Sequence, residues 1–285
     1  MVNVHEPGPL EGHLAEWPVL ATAGALEVRL AETEGEVDAA QHLRYRVFYE
    51  EMTALPSPEM RERRRDFDRF DAFCDHMLVI DRSMTDEYGQ PVVVGTYRLM
   101  RDVDAQRAGG FYTGGEYDIG RMLVESGSAN IVELGRSCIL KEYRSKTSTM
   151  QLLWRGVMVY CLRFSIDLMF GCASLAGTDP DALALPLSYL YHYHPMPDGM
   201  PVRARPELYV EMDRLPKEAI DPKAALHALP PMIKGYLRAG GSIGDGAVID
   251  RQFDTTDVFI YFPLSKMAAR YRARFGRSVD SRHAS

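Results

Sequence analysis

The stretch from Ile131 to Gly156, IVELGRSCILKEYRSKTSTMQLLWRG, constrains this chain more than any other. It reads as a strand (131–140), a polar turn (141–148) and a long helix (147–166). Met150, Leu152, Leu153, Trp154, Val157, Met158, Tyr160 and Leu162 leave that helix almost no polar face. A helix apolar on most sides is buried against a sheet, so the segment predicts an α/β core. The first backbone N–H groups of such a helix lack partners within it and favour an anion, most often phosphate. Arg144 and Lys146 add positive charge there, and Ser145, Thr147, Ser148 and Thr149 add hydroxyl donors. An ordinary helix cap flanked by solvated basic residues accounts for the same composition.

The rest of the chain alternates strand and helix patterns around that unit. Residues 1–25 are rich in Gly, Pro and Ala and read as a loose tail. Period-two alternation and apolar runs predict strands at 26–31, 77–81, 92–100, 168–175, 207–212 and 257–262. Helical spacing predicts helices at 36–51, ended by Pro56 and Pro58, at 178–193 and at 224–239. Thr178 is the expected cap of the second of these, with a kink at Pro186. GGSIGDG (240–246) reads as a glycine turn, and 266–274 as a basic terminal helix. Two strands carry interior glycines, Gly95 and Gly135, the mark of a bulge or a close approach. The expected organisation is a flexible tail (1–25), a core (26–215) and a C-terminal extension packed on it (216–285).

Charge and cysteine usage exclude several function classes. A net charge of −7 argues against nucleic-acid binding, which needs a broad basic surface. Cys74, Cys138, Cys161 and Cys172 form no CxxC pair, and no histidine cluster has metal-ligand spacing. The expectation is four reduced thiols, no metal and a cytoplasmic location. The N-terminus MVNVHEPGPLEGHLAEWP has acids, prolines and glycines where a signal peptide is apolar. No run approaches the roughly 20 apolar residues of a membrane-spanning helix.

The strand–turn–helix unit resembles the acyl-donor motif of GNAT-fold N-acyltransferases, whose turn cradles the pyrophosphate of coenzyme A. Here Arg144 is followed by SKTST where that motif has glycines. A turn richer in side chains suits the single phosphate of a carrier protein's phosphopantetheine. LRYRVFYEE (43–51), DFDRFDAFCDH (66–76), VVGTYRLM (93–100) and ELGRSCI (133–139) look like the core of acyl-homoserine-lactone synthases. Those enzymes have a tryptophan after the first helix that this chain lacks, and they end earlier. FYEEM, DHMLVID, GTYRLM, ELGRSC, LLWRG, FGCASL, LPPMIKGYLRAGGSIGDGAVID and TTDVFIYFPL together resemble the ornithine–acyl carrier protein N-acyltransferases of bacterial ornithine-lipid synthesis. That family is related to hemolysin-like proteins, and the resemblance runs from about residue 26 to 276.

The resemblance implies a GNAT-like α/β fold: a mixed, mostly antiparallel sheet flanked by helices. It implies transfer of a (3-hydroxy)acyl chain from acyl carrier protein to the α-amine of L-ornithine, giving lyso-ornithine lipid. No cofactor is implied beyond the carrier's phosphopantetheine thioester. The alternatives are an acyl-homoserine-lactone synthase using S-adenosylmethionine, an acetyl-coenzyme A acetyltransferase, and a non-enzymatic acyl- or membrane-binding protein. Residues 61–65, 141–146 and 270–274 are basic spots for the carrier protein, and the first and last for peripheral contact with the inner membrane.

Under this resemblance Glu133 and Arg136 are the expected catalytic pair, with Glu133 as base and a strand bulge by Gly135 aiming a backbone N–H at the oxyanion. The competing reading makes Glu133 and Arg136 a structural ion pair. Arg46 and Arg98 are expected to hold the amino-acid carboxylate, with Phe48 beside them, and Asp68 and Asp71 to meet the δ-ammonium. The alternative for the two arginines is salt bridges to nearby acids, and for the two aspartates a solvated charge run. Cys138, Ile139, Arg144, Lys146, Thr147 and Ser148 are expected to line the donor site. Cys138 in an apolar strand reads as an inert thiol rather than a nucleophile. His76, His192 and His194 are further candidate bases, with the aromatics and Pro195 around the last two favouring packing.

Overall fold

The computed structural model of the protein describes residues 19–86, 89, 91–144 and 147–266, apart from the side chains of Thr147 and Ser148. The strands are β1 (Val19–Ala23), β2 (Leu26–Leu30), β3 (Asp75–Thr85), β4 (Pro91–Arg101), β5 (Tyr117–Asp118), β6 (Ile131–Ile139), β7 (Leu168–Ala176), β8 (Arg203–Ala204), β9 (Ser242–Asp250) and β10 (Thr255–Pro263). The helices are α1 (Glu34–Tyr45), α2 (Pro58–Arg63), α3 (Asp102–Ala108), α4 (Gly120–Glu125), α5 (Lys141–Arg144), α6 (Thr147–Arg163), α7 (Ala184–Tyr193), α8 (Pro222–Ala228) and α9 (Pro231–Ala239). All ten strands join one sheet in the order β1-β2-β3-β4-β6-β7-β10-β9-β8-β5. Pairing is antiparallel except at β6–β7 and β8–β9. This is the mixed, mostly antiparallel sheet expected.

The local causes are legible. Thr33 and Glu36 form a capping box at the start of α1. After Tyr45 the helix widens into a π-turn over Arg46–Glu51, which brings Val47 inward and leaves Arg46 outside. The apolar helix α6 lies over β1 and β2. Gly156 makes that approach possible, because a Cβ there would stand 2.5 Å from Val28 Cγ1 and 3.2 Å from Met77 Sδ. Gly156→Ala is therefore expected to cost about 1–3 kcal/mol by overpacking. The urea midpoint should fall while the slope of the transition is unchanged; an unaltered midpoint would show that the helix can lift without loss.

Several elements depart from the sequence expectation. Residues 19–23 form β1 rather than tail. The stretch read as a glycine turn is the start of β9: Ser242 and Ile243 pair with Tyr261 and Ile260 of β10. β10 in turn pairs along its whole length with β7. The segment from 242 to 263 is thus part of the central sheet, not an extension packed on it. Pro230 and Pro231 split the helix expected at 224–239 into α8 and α9, since proline supplies no N–H to continue a helix. α7 starts at Ala184, and Pro186 sits in its first turn, where a missing N–H costs nothing. Residues 207–212 contribute only an isolated bridge, Val210 to Ala247. The expected basic terminal helix lies outside the described residues, and no described helix is long and apolar enough to cross a membrane.

Candidate active site

The site is built where β6 breaks its pairing. Against β4, Thr96 opposes Cys138 and Arg98 opposes Gly135, so Arg136 and Ser137 together face the single residue Tyr97. That is a bulge at the position expected, and Arg136 takes a φ of +52° within it. Non-glycine residues adopt such angles at a cost that the surroundings must offset. Against β7, pairing covers only Ile131–Glu133, then stops. At the parting point a Cβ on Gly171 would collide with the backbone oxygen of Leu134, so glycine is required where the strands diverge.

A cavity of about 480 Å³ fills the divergence. Glu133 and Leu134, successive residues and therefore on opposite faces of β6, both line it, so it runs through the sheet. One end is apolar, walled by Met150, Leu153 and Trp154 of α6 and by Pro231, Met232 and Ile233 of α9. The other end holds Arg98, Tyr112, Thr113, Glu133, Arg136, Asp250 and Asp257. An acyl chain fits the first chemistry and an amino acid the second.

Beside the polar end lies a network of buried charge. Arg44, fully buried, reaches Asp66 and Asp71 at 2.7 Å each. Arg98 reaches Asp68 at 2.7 Å and Asp71 at 3.0 Å. Arg136 stands farther from its acids, 3.5 Å from Asp66 and 3.3 Å from Asp68. Its guanidinium lies between the rings of Tyr112 and Phe253, 4.7 Å from each centroid. Burial works to raise the Asp71 carboxyl, but the Arg44 and Arg98 guanidiniums beside it prevail and hold it well below the usual range. Asp68 and Asp71 are therefore matched to arginines. The sequence expectation set them opposite a substrate ammonium; in this structure the cations they face are Arg44, Arg98 and Arg136.

Glu133 forms no ion pair with Arg136. It accepts hydrogen bonds from the backbone N–H groups of Tyr112 (3.0 Å) and Thr113 (2.6 Å). It is 6% exposed, and burial pushes its carboxyl above the ordinary value despite those bonds. Thr113 leads on to a second acidic group. Its hydroxyl lies 3.8 Å from Cys172 Sγ, which donates to Glu116 at 3.1 Å. Glu116, Asp250 and Asp257 present carboxylate oxygens within 4.8 Å of one another. Burial, reinforced by Asp257, pushes Glu116 up to about 7. None of these three was singled out from sequence, because they come from unrelated segments and carry no local pattern. Ser137 was missed as well; its buried hydroxyl in the bulge has no hydrogen-bond partner among the described residues.

The remaining sequence candidates divide. Phe48, Cys138, Ile139 and Arg144 line the cavity with Arg98. Arg144 is tied to the Ile139 carbonyl (2.7 Å) and to Glu51. Arg46 does not line the cavity: its side chain is 45% exposed and pairs with Glu142 at 3.3 Å, because the π-turn points it outward. Lys146 lies outside the described residues, as do the side chains of Thr147 and Ser148. Burial pushes the Cys138 thiol up to about 12, so it stays protonated near neutrality. His76 bonds the Asp71 carbonyl, His192 the Leu215 carbonyl and His194 the Tyr189 hydroxyl, all structural contacts. Of the basic spots, Arg63, Arg64 and Arg65 each pair with a nearby acid.

Comparison with known proteins gives consistent results. Residues 43–155 match the acetyltransferase (GNAT) domain model. An L-ornithine N(alpha)-acyltransferase of Rhizobium meliloti (strain 1021) is 51% identical over 258 residues, covering 90% of this chain and 86% of that protein. One from Brucella abortus (strain 2308) is 51% identical over 263 residues, covering 92% of each. Among solved structures, FeeM, an N-acyl amino acid synthase from uncultured soil microbes, aligns over 84% of this chain and 91% of its own, at 11% identity and a TM-score of 0.45.

Proposed function

This chain belongs to the L-ornithine N(alpha)-acyltransferase family, of GNAT fold, and from that premise we propose that it moves a (3-hydroxy)acyl chain from acyl carrier protein to the α-amine of L-ornithine. The observation that carries the reading is the cavity through the β6–β7 divergence, with an apolar end and a charged end meeting at the bulge.

In this reading the thioester lies across the bulge, its acyl chain between α6 and α9. The phosphopantetheine leaves past Cys138, Ile139 and Arg144 towards the start of α6, with Lys146, Thr147 and Ser148 as further donors to its phosphate. Ornithine occupies the opposite end with its carboxylate on Arg136 and Arg98; Arg136, the more loosely paired of the two, turns to it more readily. Phe48 closes that wall. Glu133 takes a proton from the α-ammonium, directly or through water. The freed nitrogen attacks the acyl carbon, and the oxyanion is met by a bulge N–H and the Ser137 hydroxyl. Collapse breaks the C–S bond, the nitrogen gives up its second proton, and the departing thiolate takes up one proton, directly from the nitrogen or by way of Glu133, to leave the carrier thiol and N-acyl-ornithine, the lyso-ornithine lipid. The reading sets the reaction in the cytoplasm with peripheral contact at the inner membrane, and the lack of a described helix long and apolar enough to cross a membrane is compatible with it.

The test offers purified protein 3-hydroxyacyl carrier protein with ornithine, lysine, glutamine or S-adenosylmethionine separately. Free thiol and acylated product are scored by mass. Thiol release matched by N-acyl-ornithine is expected. Release only with S-adenosylmethionine would make the protein a lactone synthase, and binding of carrier or lipid without any release would remove the enzymatic reading.

A further inference from the structure

Resting on that reading, we propose that Glu116, Asp250 and Asp257 form the subsite for the δ-ammonium of ornithine and so set the preference for a diamino acid. The argument begins with charge balance. Arg44, Arg98 and Arg136 match Asp66, Asp68 and Asp71 one for one, each within ion-pair distance of at least one of those acids. No cation among the described residues lies within that distance of the second acidic group. The donors reaching it are neutral: the Ser174 and Thr255 hydroxyls to Asp257 (2.9 Å for Thr255), the Gln252 and Phe253 amides to Asp250 (2.8 and 3.0 Å), and the Cys172 thiol to Glu116 (3.1 Å).

These are not solvated surface acids. Asp257 is 6% exposed, sits mid-strand in β10 and lines the cavity, as does Asp250 at the end of β9. A buried carboxylate without a cation in contact is costly, and burial drives Asp257 and Glu116 towards their protonated forms even though the more distant Arg136 charge opposes it. A ligand that brings its own positive charge relieves that cost.

Position supports an ammonium on a short tether. The acidic group lies beyond Glu133, reached through Thr113 and Cys172. Asp250 and Asp257 share the polar lining of the cavity with Arg136 and Glu133, so an amino acid held by those two residues has the acidic group within the same cavity as its side chain. Asp250 and Asp257 come from the β9–β10 hairpin, which also supplies Phe253 against Arg136. The C-terminal part of the chain thus builds both ends of the amino-acid site.

The test compares L-ornithine with L-norvaline, the same carbon skeleton without the δ-amine. Binding is read by calorimetry and turnover by carrier-thiol release, in the wild type, Asp257→Asn and Asp250→Asn, each checked for folding by circular dichroism. Asp250 is partly exposed at a strand end, so its variant keeps the test alive if Asp257→Asn does not fold. The preference for ornithine over norvaline should fall about thirtyfold or more in binding. An unchanged preference in folded variants overturns the proposal, as does an equal loss for both amino acids, which would make the acids part of the proton-transfer machinery. Tight binding of Mn²⁺ alone, lost in both variants and needed for ornithine to bind, would make the group a metal site instead. If ornithine binds with the expected preference but no thiol is released, the subsite stands and the acyl-transfer reading falls.

Discussion

Glu133→Gln should lower kcat by roughly 10²–10⁴-fold, the range for loss of a positioned general base. The amide keeps the shape of the side chain but has one acceptor oxygen where Glu133 gives a separate oxygen to each of the Tyr112 and Thr113 N–H groups, so one of these two bonds is lost and circular dichroism and thermal unfolding must show the variant folded. KM for the acyl donor should change little, because the donor meets other walls of the cavity. The pH profile gives a second readout. A base works only when deprotonated, so the rate rises with pH through its pKa. Burial raises that pKa, and the rising limb of the wild type should lie above the ordinary carboxylate range. In Glu133→Gln this limb should vanish from the residual rate. A variant that retains both rate and limb would exclude Glu133 as the base and turn attention to Glu116, whose carboxyl is pushed up to about 7.

Arg44→Ala should destabilise the fold by about 3–5 kcal/mol, the usual cost of removing one member of a buried ion pair. In a chain of this size that corresponds to a fall of roughly 10 °C in thermal midpoint. Arg44 is fully buried and touches Asp66 and Asp71 at 2.7 Å; without it Asp66 keeps only the distant Arg136 and the Tyr49 hydroxyl. The effect should depend on pH in a defined direction. Asp71 is held below its unfolded value, so its contribution is complete above the unfolded carboxylate pKa and fades as pH falls towards the folded one. The gap between wild type and variant should therefore narrow in acid. Activity should fall too, because Arg136 is drawn onto the vacated Asp66 and away from a substrate carboxylate. Equal stability of the two proteins across pH, by denaturant unfolding, would refute the account of this network.

The sequence carried a large part of this protein on its own. The strand–turn–helix at 131–156 determined an α/β core, since a helix without a polar face needs a sheet to cover it. Gly135 and its neighbours foretold the break in β6, because an interior glycine in a strand marks irregular pairing. The motifs around Arg98, Glu133 and Arg136 carried the family, and all three residues line the cavity. What the sequence could not determine was which charges cancel. Asp68 and Asp71 look like ligands in a charged run, yet Arg44, an unremarked helix residue, and Arg98 from β4 neutralise them once the chain is folded. Arg46 looks like a carboxylate clamp until a π-turn rotates it out. Glu116, Asp250 and Asp257 meet only because β10 pairs with β7 and carries β9, β8 and β5 beside it. Period and composition act over a few residues and fix elements. Ion pairing and desolvation act through space, and only the tertiary structure decides which acids are paired with an arginine and which are not.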